Sequence, residues 1–263
     1  MEYLSRNMKA ALILLLAFVV FTFAVGSIAV KTVYPTQVID DRAVGPVTVS
    51  DAEPDDETCF RLGFSGVNVG FFNRFGYHAS LEKLTKLLGY IALLTVAAFG
   101  AIGCLQLVRS RSLRGVDPEI IILGVFYVIV LAFYVVFEKL IVNYRPVIFD
   151  EGLEASYPSS HTMLVIAVML TAPAQLSRLV PSKLVGRLAK PLCFVIIAVM
   201  IVGRLLSGVH WLTDIIGGVL LALSLVEFYE AARNAILGDE DDRPSSSGRG
   251  GAKRGKGGSH LPI

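Results

Sequence analysis

Apolar residues in this chain come in six blocks separated by polar stretches. Ala10 to Val30 is nearly unbroken, as are Ile91 to Val108, Ile120 to Val136, Met163 to Ala172, Leu192 to Val202 and Ile215 to Val226. A helix that crosses a bilayer needs roughly 20 mostly apolar residues. Extended by their flanks, the blocks predict about six such helices. Two are less apolar than the rest: one begins near His161 and contains Pro173, and the last carries Asp214 and Glu227. The first block follows Arg6 and Lys9 and ends in small residues, as a signal peptide would. It is longer than the usual signal core of about 7–15 residues, and we read it as a retained first span. The expected fold class is all-α, a polytopic membrane helical bundle of about six transmembrane helices.

Composition supports that reading. Of 263 residues, 54% are hydrophobic and 17% charged, less charge than a soluble domain carries. The net charge of +2 is less informative than its distribution. Lys and Arg mark cytoplasmic loops. They gather at Arg6 and Lys9, at Arg109, Arg111 and Arg114, at Arg178, Lys183, Arg187 and Lys190, and in the tail at Arg233, Arg249, Lys253, Arg254 and Lys256. These are alternate loops, so both termini are expected inside. The expected organisation is a first helix at 1–30, an outer loop at 31–86, a five-helix core at 87–237 and a disordered cytoplasmic tail at 238–263. Within the outer loop, residues 34–58 are Asp-rich and read as irregular. Residues 62–77 are rich in Gly and Phe and lie either along the membrane interface or over the bundle. Cys59, Cys104 and Cys193 form no disulfide or metal pattern.

Two polar clusters interrupt this apolar background at outer ends of spans. Ionisable groups in such places are costly and are kept for a use. His210 and Asp214 are four residues apart and share a face of a helix. A carboxylate in reach of one imidazole nitrogen fixes the tautomer and supports attack by the other. The same residues also fit an ordinary helix start, with Thr213 or Asp214 as cap and His210 at the interface beside Trp211. Pro158-Ser159-Ser160-His161-Thr162 reads as another helix start. Its free N–H groups would bind phosphate oxygens, and His161 could protonate a leaving oxygen; a plain capped span fits equally. Arg145 and Arg204 lie on the outer side, where positive charge does not serve as a cytoplasmic anchor. Guanidinium groups match phosphate geometry.

Taken together and in order, these residues resemble the type-2 phosphatidic acid phosphatase superfamily of integral membrane lipid phosphatases. That family carries Lys, six residues, Arg-Pro; then Pro-Ser-Gly-His; then Ser-Arg, five residues, His, three residues, Asp. Here the motifs read Lys139, five residues, Arg145-Pro146; Pro158-Ser159-Ser160-His161; and Gly203-Arg204, five residues, His210, three residues, Asp214. The resemblance runs from about Leu84 to Glu230, and the six-span layout extends it to the first helix. It implies that His210 is the nucleophile, Asp214 its orienting partner and His161 the acid for the leaving group. It also implies that Lys139, Arg145, Ser159 and Arg204 hold the phosphoryl oxygens, and that no metal or other cofactor is needed. Ser160, in place of glycine, still offers a backbone N–H and a hydroxyl. Gly203 stands where the family has serine. The first motif is one residue short, and a one-residue shift turns a helical side chain by about 100°. Six intervening residues would reach Glu138, which is the alternative partner for Arg145 or Arg204.

The expected function is hydrolysis of a lipid phosphate monoester or diphosphate at the outer leaflet through a phosphohistidine. Polyprenyl diphosphate, phosphatidylglycerol phosphate and phosphatidic acid are the substrate types. The partners are that lipid and the membrane, with no nucleic acid. Two rivals remain at this stage: a lipid phosphotransferase, and a non-catalytic membrane binding protein that kept the pocket. His78 and His260 receive no role.

Overall fold

A computed structural model describes residues 2–27, 37–39, 42–44, 64–147 and 154–238. Its helices are α1 (Glu2–Ser27), α2 (Ser65–Phe75), α3 (Ala79–Ser110), α4 (Pro118–Lys139), α5 (Ser160–Leu179), α6 (Lys183–Leu206) and α7 (Leu212–Leu237). All but α2 are long and apolar enough to cross a membrane. The all-α polytopic bundle is therefore what the chain forms. Strands β1 (Gln37–Ile39) and β2 (Arg42–Val44) pair antiparallel, so the segment read as irregular contains a short hairpin. Its Val and Ile residues suit a strand. Cys59, the remaining acidic residues of that loop and the tail beyond Gly238 lie outside the described residues.

The boundary drawn at residue 86 is corrected. The second long helix starts at Ala79 and is preceded by α2. Glu82, Lys83 and Lys86 lower the hydropathy of its first turns and hid them in an apolar-block reading. Glu82 is nonetheless buried, with its carboxylate held by the Tyr77 hydroxyl and by Lys86 Nζ at 2.7 Å. A buried carboxylate is tolerable when paired and hydrogen-bonded in this way.

α5 is the central helix. It packs against α3, α4, α6 and α7, and its residues from Thr162 to Met169 are all buried. α1 lies along α7, where Ser224 Oγ donates to the Ala11 carbonyl at 3.0 Å. By contrast Leu94, Val108 and Val195 are exposed, as side chains on a lipid-facing surface are. α2 does not stand apart from the bundle. Asn68 Nδ2 donates to Thr213 Oγ1 at 3.0 Å, and Asn68 Oδ1 accepts from the Thr213 N–H at 3.2 Å. One of the N–H groups that α7 cannot satisfy internally is thus covered by α2.

The first turns of α3, α5 and α7 and the last turn of α6 meet at one end of the bundle. The His78 N–H donates to the Ser207 carbonyl at 3.0 Å, and its ring Nδ1 lies 3.1 Å from the Leu206 carbonyl. His78 therefore ties the start of α3 to the end of α6. The turn between α6 and α7 needs Gly208, whose φ is +72° and whose Cα packs against the Gly76 carbonyl. At the opposite end Arg178 pairs with Asp117 at 2.8 Å and Glu119 at 3.3 Å, and Gln175 donates to Glu119 at 2.7 Å. That clamp joins the start of α4 to the end of α5.

Candidate active site

Arg204, in the last turn of α6, is the hub of the polar end. It is 1% exposed. Its Nη1 donates to Thr85 Oγ1 on α3 at 3.2 Å. Its Nη2 faces two imidazoles, His161 Nδ1 at 3.3 Å and His210 Nε2 at 3.4 Å. A guanidinium has donors only, so both ring nitrogens facing it are unprotonated. Neutral His210 then carries its proton on Nδ1, and neutral His161 on Nε2. One arginine sets opposite tautomers on two histidines.

Behind His210 lies a short relay. His210 Nδ1 is 3.1 Å from Ser156 Oγ, and the Ser156 hydroxyl donates to Asp214 Oδ2. The direct separation of His210 Nδ1 from Asp214 Oδ2 is 3.5 Å, longer than a hydrogen bond. Ser156 therefore carries the link between imidazole and carboxylate. Asp214 Oδ2 also accepts the Trp211 N–H at 2.9 Å, which fixes the carboxylate at the start of α7. His210 and Asp214 are both buried. Burial, reinforced by Arg145 and Arg204, pushes the His210 imidazole well below the usual histidine range, so the ring is neutral, with its unprotonated Nε2 turned toward Arg204.

Ser156 and Arg145 are placed by a short ladder between two loop segments. Tyr144 and Ala155 form an antiparallel bridge. The Ser156 N–H donates to the Asn143 carbonyl at 2.9 Å, and the Arg145 N–H to the Glu154 carbonyl at 3.2 Å. Arg145 Nε lies 3.2 Å from the Ala155 carbonyl and 3.1 Å from Glu154 Oε2. Glu154 is thus a carboxylate partner of Arg145, where the sequence had offered Glu138; Glu138 is exposed on α4. Lys139 is exposed in the final turn of α4, and among the described residues no hydrogen bond or ion pair joins it to the histidines.

Ser159 precedes α5 and is fully buried, with Oγ 2.9 Å from Thr162 Oγ1 and its N–H donating to the Asp214 carbonyl at 2.9 Å; its side chain does not cap the helix. Its hydroxyl is turned into the bundle, so the start of α5 presents main-chain N–H groups and Ser160. Ser160 and His161 line a cavity of about 230 Å³ together with Lys86, Tyr90, Tyr134 and Leu164. Gly89 admits the His161 ring: a Cβ there would lie 2.9 Å from His161 Cδ2. Gly203 has a similar reason. A Cβ at that position would sit 2.9 Å from the Thr85 methyl group.

The structure therefore brings His161, Arg204, His210 and Asp214 together, sets Ser159 and Ser160 at the adjoining helix start, and holds Arg145 on the neighbouring ladder. It leaves Lys139 outside. Sequence reasoning missed Ser156 and Thr85. Ser156 lies two residues before Pro158 in a loop with no periodic signal. Thr85 lies on the face of α3 that had been assigned to the outer loop.

The fold and site define a class of protein: a polytopic helical bundle with two histidines, a buried arginine and a carboxylate at one end. Residues 92–234, more than half the chain, match the PAP2 superfamily, and the chain belongs to that family. No curated protein sequence matches it. The crystal structure of the first transmembrane PAP2 type phosphatidylglycerolphosphate phosphatase from Bacillus subtilis is similar at 20% sequence identity and a TM-score of 0.49, covering 65% of this chain and 86% of that one.

Proposed function

We propose that this protein is a membrane lipid-phosphate phosphatase that cleaves a phosphomonoester or diphosphate lipid through a phosphohistidine on His210. The observation that carries the reading is Arg204 Nη2 set between His210 Nε2 and His161 Nδ1. That arrangement leaves a lone pair on one ring and a proton on the other, which are the nucleophile and the acid of a displacement. His210 Nε2 attacks phosphorus, the P–O bond to the leaving group breaks, and the His161 Nε2 proton passes to the departing oxygen. Water then attacks the phosphohistidine, gives its proton to His161, and the P–N bond breaks to release inorganic phosphate. Asp214, through Ser156, stabilises the cationic ring. Arg145, Arg204 and the first-turn N–H groups of α5 stabilise the equatorial oxygens, where charge builds up in phosphoryl transfer. Lys139 has no step in this scheme.

The basic loops lie at the end of the bundle away from the histidines, so the positive-inside rule supports cytoplasmic termini and a site at the outer leaflet. The test is phosphate release from polyprenyl diphosphate, phosphatidylglycerol phosphate and phosphatidic acid by purified protein in detergent. Release should persist in chelator and fall by at least about a thousandfold in His210→Ala, the scale of loss when a nucleophile is removed. Unchanged release in that variant would falsify the reading.

A further inference from the structure

Tyr157 stands between the relay residue Ser156 and the Pro158-Ser159 helix start, yet its side chain reaches a helix that no motif includes. It is 1% exposed. A buried hydroxyl needs a hydrogen-bond partner, and the Tyr157 hydroxyl finds one on α1, 2.8 Å from Thr22 Oγ1. Thr22 Oγ1 itself donates to the Phe18 carbonyl at 2.8 Å. A hydroxyl has one proton, so Thr22 accepts in the contact and Tyr157 donates. Phe18, one turn before Thr22, stacks on the Tyr157 ring at a centroid distance of 6.2 Å and an interplanar angle of 10°. α1 thus holds both the face and the tip of this side chain.

The ring also meets α7. A Cβ at Gly217 would lie 2.5 Å from Tyr157 Cε2 and 2.7 Å from its hydroxyl oxygen. Only a residue without a side chain lets α7 come so near. Tyr157 is therefore wedged between α1 and α7, and the chain on either side of it bonds to the start of α7. The Ser156 hydroxyl donates to Asp214 Oδ2, and the Ser159 N–H donates to the Asp214 carbonyl at 2.9 Å. Ser156 Oγ has to reach Asp214 and stand 3.1 Å from His210 Nδ1 at once. A shift of the loop by about 1 Å would break one of these contacts, because hydrogen bonds have a narrow range of length.

We propose that Tyr157 is a positioning residue that acts through Ser156: the bond from its hydroxyl to Thr22 fixes the loop so that the Ser156 hydroxyl meets His210 and Asp214 together. The inference rests on the phosphatase reading and on the relay described above. It gives α1, which precedes the segment that matches the family, a part in the reaction beyond anchoring the chain. Among the described residues no hydrogen bond joins Tyr157 to Arg145, Arg204 or His161. Loss of the Thr22 contact therefore falls on kcat rather than KM.

The test is steady-state phosphate release in detergent from polyprenyl diphosphate, phosphatidylglycerol phosphate and phosphatidic acid, with the lipid that wild type turns over fastest used for every variant. Tyr157→Phe should lower kcat about fivefold, the scale of one neutral hydrogen bond, with KM within about twofold of wild type. Thr22→Val should do the same, and Thr22→Ser, which keeps the hydroxyl, should keep wild-type kcat. Thr22→Val/Tyr157→Phe should be no slower than either single variant, since the two changes remove one bond. In a Ser156→Ala background, Tyr157→Phe should change kcat by less than about twofold. Losses that multiply in Ser156→Ala/Tyr157→Phe overturn the inference, because the phenol then acts apart from the relay. A raised KM with unchanged kcat overturns it too, as does wild-type kinetics in Tyr157→Phe. If Tyr157→Phe fails to fold, Thr22→Val with and without Ser156→Ala makes the same comparison. The phosphatase reading fails separately: wild type then releases nothing, or His210→Ala matches it, and the inference falls with it.

Discussion

Ser156 is an ordinary loop residue by sequence and a linking residue by position. Through its hydroxyl His210 and Asp214 communicate, whereas directly they stand 3.5 Å apart. Ser156→Ala should lower kcat by about 10- to 100-fold with little change in KM, because the lost contact supports the cationic ring rather than substrate binding. Steady-state kinetics on any active lipid checks this, and wild-type kcat in the variant would show that the direct approach suffices. The histidines were legible in the sequence because ionisable groups in apolar company stand out. Serine and threonine do not stand out, since the same residues cap helices and fill turns throughout any chain. The roles of Ser156 and Thr85 exist only in three dimensions, where α3, α7 and the ladder meet.

At the scale of elements, α3 and α6 are fitted to each other at Gly203 and Thr85. The departure from the family's Ser-Arg pair has a steric cause here: a side chain at 203 would meet the Thr85 methyl, while the Thr85 hydroxyl is needed by Arg204. Gly203→Ser should therefore lower activity and thermal stability, costing about 1–3 kcal/mol as overpacked sites do. Adding Thr85→Ser, which removes the methyl and keeps the hydroxyl, should restore most of both. A double variant no better than Gly203→Ser would show that the two helices are not matched in this way. The long apolar helices were readable because a bilayer imposes a length on them. The start of α3 was not, because its buried Glu82 is paired with Lys86 within the helix, and a hydropathy reading counts each charge as if it faced lipid. The missing sixth residue of the first motif belongs with this: Lys139 keeps the family's residue type yet ends α4 exposed, while α3 brings a different lysine to the cavity.

For the whole molecule, polarity is divided between two ends. One carries the histidines, and the other carries the Arg178 clamp and the basic loops. The orientation proposed above rests on that division. In a variant lacking the native cysteines, a cysteine at Lys139 should react with a membrane-impermeant maleimide added to intact cells, and one at Lys183 only after the cells are opened. Both positions are exposed. The reverse pattern would turn the protein over and place its chemistry on the inner leaflet.

The bond from the Ser159 N–H to the Asp214 carbonyl, at 2.9 Å, joins the first turns of α5 and α7 through main-chain atoms alone. Gly218 keeps the contact close, since a Cβ there would lie 2.8 Å from the Ser159 carbonyl oxygen. That bond works as a gauge block. The spacing between the helix that begins at Ser160 and the helix that carries Asp214 is machined into the backbone, where no single side-chain replacement along the cavity resets it. Cavity walls can then drift to suit a different lipid while the reacting atoms keep their register.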